Sequence, residues 1–122
     1  MIGNICITQT KYYDALKKKN NFKYRPALII AGPRNNDYTI LPISSISISS
    51  NIDVDYDIKI DPKQYPNLKL RKTCYIRTHK STTMHKAEIL KIVINMKSIE
   101  HDLYIHVIKK YEQWAKEIVD NA

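Results

Sequence analysis

The sequence contains little cysteine, little glycine and no long apolar run, and each absence argues against a class of protein. Only two of its 122 residues are cysteines and only two are glycines. Cys6 and Cys74 form no C-x-x-C pair, and the four histidines lack ligand spacing relative to them, so we expect neither a disulfide framework nor a metal site. No stretch approaches the ~20 apolar residues of a membrane helix, and the first residues lack the pattern of a signal peptide. We therefore expect a cytoplasmic protein that makes no membrane contact.

Acidic residues are also scarce relative to basic ones. The chain has 20 lysines and arginines against 12 aspartates and glutamates, which gives a net charge of +8 and a pI near 9.5. A small basic domain attracts polyanions such as nucleic acid, an acidic protein or an anionic lipid surface, and charge alone does not choose among them. The nine tyrosines could stack on unpaired bases, although we expect most of them to supply amphipathic surface on strands.

The first half of the chain has the apolar patterns of β-strands. We predict strands over residues 3–8, 26–31 and 38–43, and the continuous apolar run at 27–30 predicts that the second of them is buried on both faces. The turn residues between 32 and 37 predict a hairpin. The lysine-rich stretch between the first two strands predicts a mobile basic loop, with a helical turn near residues 12–16.

The second half of the chain changes its period near the end. Alternation of charged and apolar residues predicts a strand over 52–61, and two further strands are predicted at 73–77 and 89–96. Apolar residues spaced by three and four over 99–118 predict an amphipathic helix, with Ser98 as its N-cap. The expected fold is one domain over residues 1–122, mainly β with a C-terminal helix, with the proportions of a small SH3-like antiparallel barrel.

Arg25 stands directly before Pro26 and the apolar strand. Its guanidinium stays charged at all accessible pH values. Proline restricts the preceding residue to extended geometry, and a buried strand behind it would hold the side chain rigidly. The arrangement is compatible with a solvated strand end or with a cation fixed over an anion-binding site.

Four short segments resemble one known family in their order and spacing. They are R-P-A-L-I-I at residues 25–30, L-P-I-S-S at 41–45, I-D-P-K-Q-Y at 60–65 and C-Y-I-R-T at 74–78. Together they resemble toxins of the MazF/PemK type from bacterial toxin–antitoxin systems, whose segments include R-P-x-L-V-I, P-I-T-S and S-y-v-R-T. The chain departs from that pattern in lacking a glycine-rich stretch before R-P and in having His79 where the family often has an acidic or amide residue.

The resemblance implies a homodimer that cleaves single-stranded RNA without a metal or other cofactor. In the family the arginine of R-P and the hydroxyl of P-I-[TS] carry catalysis, and they correspond here to Arg25 and Ser44. The ribose 2′-OH attacks the neighbouring phosphate and leaves a cyclic phosphate. A cognate antitoxin protein blocks the groove with an acidic segment. The residues expected to bind RNA are Lys23, Ser45, Arg77, Thr78, His79 and Lys80.

Alternatives remain for the residues and for the function. Ser45 could replace Ser44 as the catalytic hydroxyl, because serines crowd this stretch. His79 could act as an acid or base, although a loop histidine that at most touches phosphate is the favoured interpretation. CcdB toxins share the same barrel and poison DNA gyrase without enzymatic activity. A basic module that binds RNA or an acidic peptide without cutting would fit the charge equally well.

Overall fold

The computed structural model describes residues 1–122 and contains a curled antiparallel sheet with a C-terminal helix. The elements are β1 (Asn4–Asp14), β2 (Lys19–Arg34), β3 (Asp37–Ser44), β4 (Asp57–Ile60), β5 (Cys74–Arg77), β6 (Thr82–His85), β7 (Ile89–Asn95), α1 (Met96–Ile99) and α2 (His101–Asp120). The strand order is β4-β5-β3-β2-β1-β7, and β6 pairs with β3 off this path. The sheet forms a half-barrel, so the predicted fold class is confirmed as mainly β and consistent with a small SH3-like barrel.

Strand β2 lies at the centre of the sheet and has a core on each face. Leu28 belongs to the larger cluster, which includes Leu103 and Val107 of α2. Ala27 and Ile29 point to the opposite face and join a smaller cluster. The prediction that this segment is buried on both faces is therefore confirmed. The part of β2 that follows Arg25 is anchored by packing on both faces of the sheet.

The β2–β3 hairpin closes through the predicted turn. Asn35 and Asn36 have φ angles of 52° and 66°, the left-handed conformation that both central residues of a type I′ turn require. Gly32 has a φ of 108°, and a Cβ there would lie 2.7 Å from the carbonyl oxygen of Asp37. Glycine is thus required for the close approach of the two strands. This hairpin sets the register that brings Pro42 opposite Ala27.

The prediction of a mobile loop with a helical turn between the first two strands is wrong. Strands β1 and β2 pair continuously from Ile5 with Leu28 to Asp14 with Lys19, and the chain reverses in a short turn. The Asp14 carboxylate closes that turn by accepting the backbone N–H groups of Leu16 and Lys17 at 3.0 and 3.2 Å. Beyond the strands that flank them, β1 and β2 therefore project as a two-stranded ribbon.

The predicted strand over residues 52–61 is correct only from Asp57 to Ile60. Before it, the chain turns, because the Asp53 carboxylate accepts the backbone N–H groups of Asp55 and Tyr56 at 2.9 and 3.1 Å. Asp57 in turn accepts the N–H of Asp53 at 2.8 Å. Short acidic side chains compete with sheet pairing by bonding the nearby backbone, so the alternation of charged and apolar residues here belongs to a turn.

The C-terminal helix is present, but it does not begin at Ser98. Asn95 caps the short helix α1 by accepting the backbone N–H of Ser98 at 2.9 Å, and α2 starts afterwards at His101. Leu103, Tyr104 and Val107 are the buried residues of α2. Neither helix is both long enough and apolar enough to cross a membrane.

Candidate functional site

Arg25 lies in β2 where the strand leaves the core. The hydroxyl of Thr8, a residue only 3% exposed on the neighbouring strand, donates a 2.9 Å hydrogen bond to the carbonyl oxygen of Arg25. Pro26 follows, and the buried segment begins at Ala27. The backbone of Arg25 is therefore held on both sides, while its guanidinium is exposed and makes no salt bridge or hydrogen bond within the protein. A free cation on a rigid backbone is a suitable anchor for an anion.

Three cavities share Arg25 as a wall, and we call them together the Arg25 groove. The Leu70 cavity, of about 410 Å³, is bounded by Pro26, Leu70 and the pair Arg71–Lys72. The Lys80 cavity, of about 470 Å³, is bounded by Arg77 and Lys80. The Thr10 cavity, of about 260 Å³, extends along the β1–β2 ribbon and includes Lys23. Arg25 is the one residue that lines all three cavities.

Ser44 and Ser45 line both the Leu70 and the Lys80 cavities beside Arg25. Ser44 is the last residue of β3 and pairs with Tyr75 of β5, so its backbone is fixed by the sheet. Ser45 follows the strand and is more exposed. Neither hydroxyl is among the side-chain donors in the hydrogen-bond network of the protein, so both are available to a ligand. Their placement alone does not choose between the two serines.

The groove is uniformly basic. Its cationic side chains are Lys23, Arg25, Arg71, Lys72, Arg77 and Lys80. No aspartate or glutamate lines any of the three cavities. Five of these six cations have no carboxylate partner, the exception being Arg77, and cations gathered along a concave surface focus a positive potential that draws in a polyanion. The overall charge of +8 is thus concentrated where Arg25 and the two serines lie.

Arg77 lines the Lys80 cavity and is paired with Asp57. Its Nε lies 3.1 Å from Oδ1 of Asp57, a carboxylate with no exposed surface, and its Nη2 bonds the Asp57 Oδ2 at 3.3 Å and the carbonyl oxygen of Asn51 at 3.2 Å. The guanidinium is therefore locked in orientation at the edge of the Lys80 cavity. A locked guanidinium can present its remaining N–H groups to a phosphate at little entropic cost.

Thr78 and His79 do not line any of these three cavities. Thr78 is fully buried and its hydroxyl donates a 2.6 Å hydrogen bond to the carbonyl oxygen of Tyr56, which leaves no exposed side-chain atom for RNA in this conformation. The His79 ring packs edge-on against Trp114, with centroids 6.0 Å apart, and lies between Asp53 and Asp57. Both residues support the turn behind the groove, which corrects the expectation that they line it.

A second aromatic contact ties this turn to the helix. The Tyr56 ring packs at 5.2 Å from the Trp114 ring, and its hydroxyl donates a hydrogen bond to Glu117. That hydrogen bond, with burial and the Glu117 charge, raises the pKa of Tyr56 to about 12. The phenol is therefore neutral at physiological pH and stabilises the attachment of the turn to α2.

Arg71 and Lys72 are groove residues that the sequence analysis missed. They follow Leu70 in the segment between a 3₁₀ turn and β5, and both are exposed. The sequence does contain one signal for them: Lys69, Arg71 and Lys72 form a basic cluster directly before the C-Y-I-R-T segment. Without the fold, nothing distinguished that cluster from the lysine run at residues 17–19.

The chemistry available in the groove is electrostatic. No histidine or carboxylate lines it, and burial raises the pKa of the Cys74 thiol, which borders the Leu70 cavity, to about 11. A protonated thiol is a poor nucleophile at neutral pH. No group of three or more His, Cys, Asp or Glu side chains is arranged to hold a metal ion. What remains is a set of guanidinium, ammonium and hydroxyl donors that can bind a phosphodiester and stabilise charge on it.

Comparison with known proteins adds no relative. No protein-family model matches the sequence, and no curated protein matches it significantly. The assignment to the MazF/PemK family therefore remains a resemblance carried by four short segments.

Proposed function

We propose that this protein is a metal-independent endoribonuclease toxin that cleaves single-stranded RNA and resembles the MazF/PemK type. One observation carries the proposal: Arg25 meets Ser44 and Ser45 in a concave, basic groove that contains no carboxylate. A phosphodiester is the ligand that such donors fit best. The order of the four sequence segments supports the same function independently of the geometry.

In the proposed reaction the ribose 2′-OH is the nucleophile. Its oxygen forms a bond to phosphorus while the bond to the 5′ oxygen of the next nucleotide breaks, giving a 2′,3′-cyclic phosphate and a 5′-OH. The proton lost by the 2′-OH is matched by the one gained at the 5′ oxygen. Arg25 holds two phosphate oxygens and stabilises the developing charge, and Ser44 donates a hydrogen bond to the phosphate. The rate enhancement arises mainly from alignment and electrostatics.

The remaining features of the proposal come from the resemblance. The protein acts in the cytoplasm as a homodimer and is neutralised by an antitoxin with an acidic segment. The basic groove supports the last point, because an acidic chain would compete with RNA for the same cations. Homodimer formation and the identity of the antitoxin stay predictions.

The proposed activity has a direct test. The purified protein is incubated with a long single-stranded RNA in EDTA, and the fragment ends are mapped. We expect discrete cuts with cyclic-phosphate ends. If a well-folded protein leaves the RNA whole, the endoribonuclease proposal is wrong. A gyrase-trapping assay and an RNA-binding assay on the same sample then distinguish a gyrase poison from a binding module.

The two serines can be separated by substitution. Ser44→Ala is expected to lower the cleavage rate by about 10²-fold, because Ser44 is held by the sheet and a fixed donor stabilises charge better than a mobile one. Ser45→Ala is expected to stay within about threefold of the wild-type rate, since its backbone lies beyond the strand. Single-turnover rates on one oligonucleotide measure both. The reverse pattern would assign the catalytic hydroxyl to Ser45.

A further inference from the structure

The Leu70 and Lys80 cavities share Arg25, Ser44 and Ser45 and no other lining residue. The exposed lining of the Leu70 cavity is mostly apolar and includes Pro26, Ile43 and Leu70. The exposed lining of the Lys80 cavity is mostly polar. An RNA strand held at Arg25 would therefore have one apolar and one polar cavity within reach.

An apolar pocket is suited to a nucleobase and a polar, cationic one to the sugar–phosphate backbone. The Leu70 cavity, at about 410 Å³, falls within the ~300–1,000 Å³ range of pockets that hold small molecules. Bases bind proteins by covering their flat faces with apolar or guanidinium surfaces, and their edges take hydrogen bonds. Pro26 and Leu70 offer apolar faces, and the free Ser45 hydroxyl offers a hydrogen bond to an edge.

The cations at the rim fit the phosphate attached to such a base. Arg71 and Lys72 are exposed and neither makes a salt bridge or a side-chain hydrogen bond within the protein. They stand with Arg25 around the same cavity, without a carboxylate among them. A nucleotide next to the scissile phosphate would thus find an apolar wall for its base and two unpaired cations for its own phosphate.

We propose that the Leu70 cavity binds one base of the RNA next to the scissile phosphate, with Arg71 and Lys72 on its phosphate, while the Lys80 cavity binds only the backbone. The protein then recognises sequence on one side of the cut. This inference rests on the proposed function for the position of the cut, but base binding itself can be tested without cleavage.

The test compares two nine-nucleotide 2′-deoxy oligonucleotides, which carry no 2′-OH nucleophile. One has all its bases and the other is fully abasic, so the number of phosphates is the same. We expect wild-type protein to bind the base-bearing strand about tenfold more tightly, measured by fluorescence anisotropy. Leu70→Ala should remove most of that difference. Leu90→Ala, which truncates an exposed leucine of β7 outside all three cavities, is the matched control and should retain it.

The rim cations give a separate readout. The double substitution of Arg71 and Lys72 by alanine should weaken both oligonucleotides equally and reduce the salt dependence of binding by about 1.4 in the log–log slope. Circular dichroism checks that each variant is folded.

Equal affinity for the two strands in wild-type protein would overturn the inference, as would a full base preference in Leu70→Ala. Displacement of both strands by an acidic, leucine-containing peptide, without any base preference, would assign the cavity to a protein partner instead. If wild-type protein shows the base preference but leaves RNA uncut, the base-binding cavity stands and the endoribonuclease proposal fails. If RNA is cut and base preference is absent, the endoribonuclease proposal stands and the base-binding inference fails.

Discussion

Arg25→Ala is expected to lower the rate of RNA cleavage by about 10³-fold without unfolding the protein. A single well-placed donor at a charged transition state contributes about 10²–10³ in rate, and an arginine on a phosphoryl group reaches or exceeds that range. Stability should change little, because the guanidinium is exposed and has no partner in the protein. The measurement is a single-turnover rate in EDTA on an oligonucleotide that contains one mapped cut.

Two further variants make the Arg25 result specific. Arg34→Ala removes another exposed arginine, at the far end of the same strand and outside the three cavities, and should leave the rate unchanged. Arg25→Lys keeps the charge but loses the two-point contact to phosphate, so we expect an intermediate rate. A cleavage rate for Arg25→Ala within twofold of wild type would contradict a catalytic role and leave Arg25 as a solvated residue of the strand.

Asp57→Ala is expected to lower the free energy of unfolding by about 3 kcal/mol. The Asp57 carboxylate is fully buried, accepts two hydrogen bonds from Arg77 and one from the backbone of Asp53, and borders His79. Its removal leaves one partly buried N–H without an acceptor and a guanidinium without its counter-charge. The value lies at the low end for a buried pair because the Arg77 side chain is 20% exposed and can be partly hydrated.

Urea denaturation measures this loss as a lower midpoint at unchanged m-value. Asp55→Ala is the matched control, since Asp55 lies in the same turn but is exposed and accepts no side-chain hydrogen bond, and it should shift stability by less than about 0.5 kcal/mol. Asp57→Asn keeps the shape and removes the charge, so it should fall between the two. A loss below about 0.5 kcal/mol for Asp57→Ala would contradict the prediction that the contacts of this buried carboxylate stabilise the fold.

The same substitution also links stability to function. Asp57 and the carbonyl oxygen of Asn51 fix the orientation of Arg77 at the border of the Lys80 cavity. Freed from Asp57, the guanidinium gains rotamer freedom, so it contributes less to phosphate binding. RNA affinity should therefore fall in Asp57→Ala even under conditions where the variant remains folded. Asp57 is a positioning residue that acts through Arg77.

Parts of the fold were accessible from local pattern. The apolar run at residues 27–30 predicted a strand buried on two faces because β2 lies between two core clusters. The Asn35–Asn36 turn and the three-and-four spacing of α2 are similarly local, since they depend on backbone conformation and on one helix face. In these segments the favoured local conformation agrees with the tertiary structure.

Other segments were mispredicted because pairing partners far along the chain decide them. The lysine run at residues 17–19 suggested a long loop. Lys17 and Lys18 do lie in the turn, but the tyrosines and threonines on either side favour strand once β1 and β2 are in register. The acidic residues at 53–57 suggested a strand, yet their carboxylates bond the backbone and form a turn. Strand β6 was not predicted, because its four residues gain their pairing only from β3.

The sequence by itself determined the element types with strong periodicity, the excess of positive charge and the identity of Arg25 and Ser44 as candidate site residues. The tertiary structure alone decided which cations share a groove with Arg25, bringing Arg71 and Lys72 in and leaving Thr78 and His79 behind it. The physical reason is that local propensity acts over a few residues, whereas a site is assembled by sheet register. Because side chains alternate along a strand, Arg77 then faces the groove while its neighbour Thr78 faces the core. Local composition does not show which of the two faces the groove.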